Sequence, residues 1–388
     1  MVDFSLTEAD VRLMDAQRAE EDKARKFARE LDLAGEIITR EKPKDHPAFA
    51  GTKSPKKALA EEKGPISGPF ITDALMHTVS AHDANVRGPE GGSFGGWIVR
   101  DYGTPEQKAA YGHLSLAIGI TEPGAGSDPT MMRTNAKYDP ATNEYILNGE
   151  KTFISGVSYQ DGVLVLMKGE PDEKGNRPFC TFVVLKEWPG FIEAQPIQKM
   201  GIRHHNLSGF TLDNMRVPAL AKIEANFQGT MGKFNHNRPL IAAGVLGLCR
   251  SILDFTAAKL AEQGIEINYA KGRNARSGPE EKVIQMEALW QATWGIIMRV
   301  KWLEEQMGET SNGYRIEASM AKAMGGKAAR LITQGCMEIL GPEALSEEYL
   351  AEKWFRDARI ADIYEGAGEI QRLLIARHLL GYKKGQLD

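Results

Sequence analysis

The chain is poor in cysteine and carries no large excess of charge of either sign. Three cysteines, Cys180, Cys249 and Cys336, occur among 388 residues, too few and too scattered for a disulfide framework or a cysteine-ligated metal site. Each lies in an apolar stretch, which predicts a buried thiol. Lys plus Arg number 48 and Asp plus Glu 52, a net charge of −4. This balance argues against a general nucleic-acid binder.

The sequence also lacks long apolar runs and an N-terminal targeting pattern. No apolar run reaches roughly 18 residues, so no membrane-spanning helix is expected. The first thirty residues are rich in Asp and Glu, which does not fit a secretory signal or a transit peptide. The resulting expectation is a cytoplasmic location. The composition, 42% hydrophobic and 26% charged, is that of a globular protein with two or three domains.

The first part of the chain is predicted to be helical, with one long interruption. Residues 5–34 have a helical pattern with Ser5 or Thr7 as N-cap. Residues 40–69 contain five prolines and many lysines, which predicts an irregular connection. These features favour an N-terminal helical domain over residues 1–115.

Two more helices are predicted in this domain, over 70–82 and 104–114. Thr104 would cap the second helix, with Pro105 at its first position. The glycine-rich segment 88–96 between the two helices predicts a turn.

Short apolar runs typical of strands fill residues 116–226. Asn148-Gly149 lies between two of these runs and predicts a two-residue hairpin. Pro218 would close the last strand. The pattern indicates a small antiparallel β domain.

From residue 227 to 388 the apolar residues return with helical spacing and predict a four-helix bundle. Gly325, Gly326 and Gly335 would allow helices to approach closely. The Met and Trp residues favour core packing over a ligand site. The predicted stripes are Ile241, Val245, Leu248, Ile252 and Leu260; Val283, Met286, Trp290, Thr293, Ile297 and Val300; and Ile316, Met320, Met324, Leu331 and Ile339. The whole chain is therefore predicted to be α+β and mostly α.

Two segments carry residues suited to chemistry. TEPGAGSD (121–128) follows a predicted strand, and such a loop can present several backbone N–H groups to an anion or a ring carbonyl. It matches neither a Walker loop nor a Rossmann fingerprint, and an ordinary tight turn is the alternative. Glu365 lies between Tyr364 and Gly366. Burial would make this carboxylate a general base, whereas a surface helix cap is the alternative.

Taken together, several segments resemble the markers of the acyl-CoA dehydrogenase family and occur in that family's order. They cover the N-terminal helix and nearly all of the chain from about residue 100. The segments are FSLTEAD, YGTPEQKAAY, ITEPGAGSD, LNGEKTFIS, MGIRHHNLSGFTLDNMRVP, NRPLIAAGVLG and RDARIADIYEGAGEIQRLLIAR. The family fold has a helical domain, a small β domain and a four-helix bundle, as the division above predicts.

This resemblance implies an FAD-dependent α,β-dehydrogenation of an acyl-CoA thioester. Glu365 matches the catalytic base and would take the α-proton, while the β-hydride goes to flavin N5. In the family, the flavin ribityl hydroxyl and the backbone N–H at the Glu365 position stabilise the enolate, an oxyanion-type effect. Another branch carries its base on the first bundle helix, where this chain has Asn237. An asparagine cannot act as a base, which supports Glu365.

The resemblance also implies a set of binding residues. Thr121 and Ser127 match the loop that touches the flavin and the thioester region, and Phe153 and Ser155 match the Trp and Thr beside the flavin. Arg238 matches an arginine interpreted as structural. The implied FAD-binding residues are Ile120, Thr121, Ser127, Phe153, Ser155, Arg273 and Tyr364, and the implied substrate-binding residues are Ser127, Glu365 and Gly366.

The sequence departs from the family where a subunit usually contacts its neighbour's FAD. Arg273 matches the first residue of an RxxFG segment, but Arg276 and Ser277 replace the Phe and Gly. Glu338 replaces the Gln of a QxxGGxG segment, whose last residues here are Gly341-Pro342-Glu343-Ala344. A carboxylate would repel a pyrophosphate, and proline removes a donor. Two assemblies stay open: an α2β2 heterotetramer with a related subunit, or a divergent homotetramer.

Three functions stay open at this level. The first is an acyl-CoA dehydrogenase that passes electrons to a flavoprotein. The second is an acyl-CoA oxidase or flavin monooxygenase of the same fold. The third is a non-catalytic subunit that binds CoA or a partner chain. Residues 40–100 lack the family's PxxxGGxG segment, so the acyl group is left undetermined.

Overall fold

A computed structural model describes residues 6–35, 68, 71, 73–75, 78, 94–225, 227–309, 311–382 and 386. The predicted irregular connection lies almost entirely outside the described residues, as do Ser5 and the first six residues of the predicted 88–96 turn. Within the predicted 70–82 helix, the described residues 71, 73–75 and 78 are helical.

The described N-terminal elements are short helices. Thr7 caps the first of them, as predicted, by accepting a hydrogen bond from the Asp10 N–H at 3.1 Å. The predicted 5–34 helix is wrong in one respect, because it breaks into two helices around Phe27. The helices are α1 (Glu8–Arg25), α2 (Ala28–Ala34), α3 (Phe94–Tyr102) and α4 (Pro105–Tyr111).

Two details of α3 and α4 depend on particular residues. Thr104 and Gln107 form a reciprocal capping box at the start of α4, with Pro105 in the first turn, as predicted. The end of the predicted glycine-rich turn is instead helical, since α3 begins at Phe94. A Cβ on Gly95 would lie 2.4 Å from the Ala117 carbonyl oxygen, so this glycine serves close helix–strand packing.

One eight-stranded sheet forms the middle of the chain, in the order β6-β7-β3-β2-β4-β5-β8, with β1 beside β4. Most pairs are antiparallel, as predicted, but β1 and β2 both run parallel to β4. The strands are β1 (Leu116–Gly119), β2 (Asn135–Asp139), β3 (Glu144–Ser155), β4 (Gly162–Lys168), β5 (Phe179–Leu185), β6 (Phe191–Glu193), β7 (Leu207–Pro218) and β8 (Lys222–Ile223).

The predicted hairpin at Asn148-Gly149 is wrong. Both residues lie inside the continuous strand β3, whose two halves pair with the same neighbour, β7. The register shifts between Leu147 and Gly149, and Gly149 has φ +136°. The glycine therefore accommodates a β-bulge rather than a turn.

Helices make up most of the described residues after β8 and enclose one large apolar core. The helices are α5 (Phe227–Glu262), α6 (Gly278–Met307), α7 (Arg315–Leu340), α8 (Ala351–Ala358) and α9 (Gly368–Leu380). The first three of these helices and the final one, α5, α6, α7 and α9, form the predicted four-helix arrangement. The short helix α8 lies between α7 and α9 in the sequence. The glycines act as predicted, since a Cβ on Gly325 would lie 2.8 Å from Ala242 Cβ. The predicted stripe is wrong at Leu331, which is 40% exposed.

Helix α5 corrects one expectation about apolar segments. Its residues 232–262 are long and apolar enough to cross a membrane by length and composition. However, 67% of the apolar window is buried inside the protein, which is how the core helix of a bundle also behaves. The three cysteines are buried and unpaired, as predicted.

Arg356 on α8 connects three parts of the structure. Its guanidinium lies 2.6 Å from the Asp32 carboxylate on α2 and donates to the Met200 carbonyl at 2.8 Å in the β6–β7 connection. The neighbouring Asp357 accepts a hydrogen bond from the Ile202 N–H. The N-terminal helices, the sheet and the bundle are therefore fixed to one another at α8.

Candidate active site

The glycine-rich loop 121–128 follows β1 and turns sharply at its start. The N–H groups of Glu122 and Ala125 each donate to the other residue's carbonyl, at 3.1 and 3.0 Å. The Thr152 N–H donates to the Thr121 carbonyl at 2.9 Å. These bonds hold the loop directly beside the end of β3.

A buried ion pair between strand β3 and the loop supports the loop. Lys151 Nζ lies 2.8 Å from Glu122 Oε1 and donates to the Ile120 carbonyl at 2.9 Å. Burial alone would raise the pKa of Glu122, but hydrogen bonds from Lys151, Thr134 and the Arg133 N–H outweigh it and hold the pKa below its usual value. Burial lowers the pKa of Lys151. The number of donors around Glu122 favours the charged pair.

The end of β3 places an exposed aromatic ring next to this loop. Phe153 has φ +56° at a second register shift in β3, and its side chain is 58% exposed. Left-handed backbone is costly for a residue with a Cβ. A flat apolar ring held outward in this way, with the exposed Ser155 two residues on, suits contact with a planar ligand.

The loop itself has room and donors for a ligand. A Cβ built on Gly124 or Gly126 would meet no protein atom within 4 Å. The N–H groups of Gly124, Gly126 and Ser127 have no backbone partner within the described part of the chain. Free N–H groups beside open space are what a flavin ring or a phosphate requires, so these residues fit FAD.

The second part of the candidate site is the turn between α8 and α9. Glu365 has φ +55° and Gly366 has φ +96°. A Cβ on Gly366 would lie 2.1 Å from Gln371 Nε2, and the positive φ favours glycine at this position. The Glu365 N–H has no backbone partner within the described ranges. Two successive left-handed residues thus form a turn that carries both a carboxylate and an N–H group without a backbone partner in the described ranges.

The Glu365 carboxylate is poised between its two charge states. Asn237 on α5 donates a hydrogen bond to Oε1. The other oxygen, Oε2, is enclosed and has no hydrogen-bond partner in the described structure, although the side chain as a whole keeps some exposure. Burial raises the pKa of Glu365 to about 7, against the lowering effects of Asn237, Arg238 and Lys322. A carboxyl group with this pKa can take or give a proton near neutral pH.

Arg238 approaches the same turn from the backbone side. Its Nε donates to the Glu365 carbonyl at 3.3 Å, and its Nη1 donates to Asn235 Oδ1 at 2.9 Å. Burial lowers the pKa of this guanidinium below its usual value. These contacts agree with the structural role expected for Arg238.

The structure gathers the predicted residues into two groups and leaves one apart. Ile120, Thr121, Ser127, Phe153 and Ser155 lie at the glycine-rich loop and the end of β3, whereas Tyr364, Glu365 and Gly366 form the turn before α9. Arg273 lies in the α5–α6 connection, 3.4 Å from Glu281 and with its side chain 78% exposed.

Two residues that act on the Glu365 turn do not stand out in the sequence. Asn237 is interpreted from the sequence only as a residue unable to act as a base, and Lys322 is given no role. An amide or a lysine on an apolar helix face has no local partner, which is the signal that could have found them.

Two residues that depart from the family pattern, Arg276 and Glu338, form ion pairs within this chain. Arg276 Nη1 lies 2.9 Å from Glu281 Oε2. Glu338 Oε2 lies 3.2 Å from Lys282 Nζ. Both substituted residues thus have charge partners on α6.

Comparisons with known protein families and proteins match large parts of this chain. The family described as acyl-CoA dehydrogenase, C-terminal domain, matches residues 227–380, and that described as acyl-CoA dehydrogenase, middle domain, matches residues 117–215. The acryloyl-CoA reductase (NADH) of Anaerotignum propionicum is 31% identical over 73% of this chain and 72% of its own length. The 3-(aryl)acrylate reductase of Clostridium sporogenes is 32% identical over 72% and 74%.

A short/branched chain specific acyl-CoA dehydrogenase of Rattus norvegicus is 33% identical over 73% of this chain, but the match spans only 65% of the rat enzyme. Among solved structures, a glutaryl-coenzyme A dehydrogenase in complex with glutaryl-CoA superposes with a TM-score of 0.78 at 24% identity, over 99% of this chain and 98% of that one. An acyl-CoA dehydrogenase of Bacillus anthracis complexed with FAD has a TM-score of 0.73 at 22% identity, over 98% and 69%. At these identities the structural matches establish the fold.

Proposed function

The chain belongs to the acyl-CoA dehydrogenase family of flavoenzymes, and from that premise we propose that it interconverts an acyl-CoA and its 2,3-enoyl-CoA with Glu365 as the proton-transferring group. The observation that carries the proposal is the state of the Glu365 carboxylate. One oxygen is held by Asn237, the other is enclosed without a partner, and the pKa is raised to about 7.

In the dehydrogenation direction, Glu365 Oε2 takes the proton from the α-carbon of the thioester. Asn237 holds Oε1, so the carboxylate keeps one orientation while Oε2 accepts. The free N–H of Glu365 is placed to donate to the thioester oxygen as negative charge develops there. Both groups come from one residue, so the turn that fixes the base also fixes the donor.

The cofactor would be held at the glycine-rich loop and the end of β3. The free N–H groups of the loop, the ring of Phe153 and the hydroxyl of Ser155 supply the contacts that FAD requires. When bound there, FAD supplies the acceptor for the hydride that leaves the β-carbon. The reaction removes one proton and one hydride from the substrate.

The same residues support a second candidate, the reduction of an enoyl thioester. With a pKa of about 7, Glu365 is present in both charge states at neutral pH, and the protonated form can donate to the α-carbon. Two similar proteins are reductases by name. The physiological direction would then depend on the electron partner, which we propose to be another flavoprotein.

The identity of the acyl group is best approached with thioesters suggested by the similar proteins. Propanoyl-CoA, 2-methylbutanoyl-CoA and 3-phenylpropanoyl-CoA cover short, branched and aryl side chains. The proposed function predicts anaerobic bleaching of the bound flavin by at least one of them. Oxygen consumption without an electron carrier would favour the oxidase alternative, and no response from a fully FAD-loaded protein would contradict the proposal.

For the assembly we propose a heteromer with a related subunit. Arg276 and Glu338 are paired with Glu281 and Lys282 of the same chain, which supports a loss of contacts toward a neighbour. The test is the FAD content of the chain purified alone. Substoichiometric FAD in a folded protein supports the heteromer, whereas one FAD per subunit with turnover indicates a homo-oligomer.

A further inference from the structure

A fully buried lysine lies behind the turn that carries Glu365. Lys322 on α7 is 1% exposed. Its Nζ donates to the Ala361 carbonyl at 2.6 Å and lies 3.5 Å from the Gly366 carbonyl. These two carbonyls flank the stretch that contains Glu365, so one ammonium group contacts both ends of the turn.

The helix surface around Lys322 is shaped to receive this turn. Gly326 lies four residues further on α7 and therefore on the same face. A Cβ on Gly326 would lie 2.4 Å from Asp362 Oδ1, so a larger residue would push the turn away. The Tyr364 ring lies over the ammonium, with its centroid 5.6 Å from Nζ. Lys322 thus contacts the turn before the left-handed pair, at Ala361 and Tyr364, and at the second residue of the pair, Gly366.

The turn needs such support because its backbone is costly. Glu365 and Gly366 are both left-handed, at φ +55° and +96°, and a left-handed residue with a Cβ persists only where its surroundings hold it. Arg238 holds the Glu365 carbonyl from α5. Lys322 on α7 holds the carbonyls of Ala361 and Gly366.

Lys322 also belongs to a small cluster of charges. Glu365 and Asp362 face it from the turn, Arg238 from α5 and Arg372 from α9. Burial lowers the pKa of Lys322 to about 8, whereas the neighbouring carboxylates of Glu365 and Asp362 favour its charged form. A neighbouring positive charge favours an ionised carboxylate.

We propose that Lys322 is a positioning residue for the Glu365 base: it holds the left-handed turn through the Ala361 and Gly366 carbonyls and, as a cation, keeps the Glu365 carboxylate available for proton transfer. The inference rests on the proposed role of Glu365. It assigns no direct contact between Lys322 and substrate.

The test measures the titration of Glu365 itself, in the full chain as purified. Infrared difference spectra between pH values report the C=O band of the protonated carboxyl group, which is identified by its absence in Glu365→Gln. In Lys322→Met this band should persist to a higher pH, with the midpoint raised by about one unit or more. Lys322→Arg keeps the charge, so its midpoint should lie at least halfway back from the Lys322→Met value to the wild-type value.

Two further variants separate positioning from general stability. Lys353→Met removes another fully buried lysine, which pairs with Asp357 on α8, and should leave the Glu365 midpoint unchanged. If Lys322→Met does not fold, Lys322→Gln removes the charge with a smaller change in polarity and should show the same shift. A neutral Lys322 variant that titrates as the wild type, or an equal shift in Lys353→Met, would overturn the inference.

This readout also distinguishes the inference from the proposed function. If no acyl-CoA bleaches the flavin of the wild type but the band still moves in Lys322→Met, the proposed function fails and the positioning role stands. If Glu365→Gln abolishes bleaching but the Lys322 variants titrate normally, only the positioning role fails.

Discussion

Lys151 and Glu122 form a buried ion pair, with 2.8 Å between Nζ and Oε1, that connects strand β3 to the glycine-rich loop. Both side chains are almost fully enclosed, so removing one partner leaves an uncompensated charge. We expect Lys151→Met to lower the free energy of unfolding by about 3–5 kcal/mol and to weaken FAD retention, because the loop loses its support. Urea unfolding and flavin absorbance after gel filtration check both effects.

The matched control is an ion pair on the surface. Lys282 and Glu338 lie 3.2 Å apart, and each is about half exposed. Lys282→Met should change the free energy of unfolding by about 1 kcal/mol or less. Equal effects of Lys151→Met and Lys282→Met would contradict the role given to the buried pair.

Asn237 favours the ionised form of Glu365, against the effect of burial, by donating to its carboxylate. A hydrogen bond to the charged form lowers the pKa of a carboxyl group. Asn237→Leu should therefore move the pKa of Glu365 above about 7, and Asn237→Asp should move it further because a second carboxylate then faces the first. The pH profile of flavin bleaching checks this order: the midpoint should be lowest in the wild type, higher in Asn237→Leu and highest in Asn237→Asp. Three coincident profiles would show that Asn237 does not act on the base.

The raised pKa of Glu365 has a cost in stability. Folding raises this pKa from 4.5 to about 7, so the folded protein binds more protons than the unfolded chain between these values. The wild type should lose stability as the pH rises through this window. Glu365→Gln removes the cost and should be more stable than the wild type at pH 8, by up to about 3 kcal/mol. The difference should shrink towards pH 5 in thermal unfolding scans; a constant difference would contradict the raised pKa.

The same pKa predicts opposite pH dependence for the two directions. Dehydrogenation requires the ionised Glu365 and should rise with pH through about 7. Reduction of an enoyl-CoA requires the protonated form and should fall over the same range. Single-turnover rates of dehydrogenation and of enoyl-CoA reduction, measured against pH on one preparation, should change in opposite directions. Rates that change in the same direction would show that another group controls the proton transfer.

Much of the fold could be predicted from local sequence signals. The capping box at Thr104 depends on Gln107, only three residues away. The glycines of α7 indicate close helix packing, although the partner of Gly325, Ala242 on α5, is distant in the sequence. The hairpin at Asn148-Gly149 could not be rejected in this way, because the continuity of β3 depends on its pairing with β7, more than fifty residues away. The division of residues 5–34 into two helices likewise had no clear local signal.

The candidate site was predicted only as far as single motifs allow. Glu365 and the glycine-rich loop stand out as segments, and their identities suggest their chemistry. Asn237 and Lys322 come from other helices, α5 and α7, and their contacts with the Glu365 turn arise from helix packing. A one-dimensional pattern does not contain that packing.

The transfer of the substrate proton by Glu365 can be measured through the rate of flavin reduction. FAD-loaded wild type and Glu365→Gln are mixed anaerobically with the acyl-CoA that bleaches the wild type best, and flavin absorbance is followed by stopped flow. We expect Glu365→Gln to keep its FAD and still bind the thioester, but its bleaching should slow by at least about 100-fold, the contribution of a positioned general base. Bleaching of Glu365→Gln at the wild-type rate would show that Glu365 does not take the substrate proton.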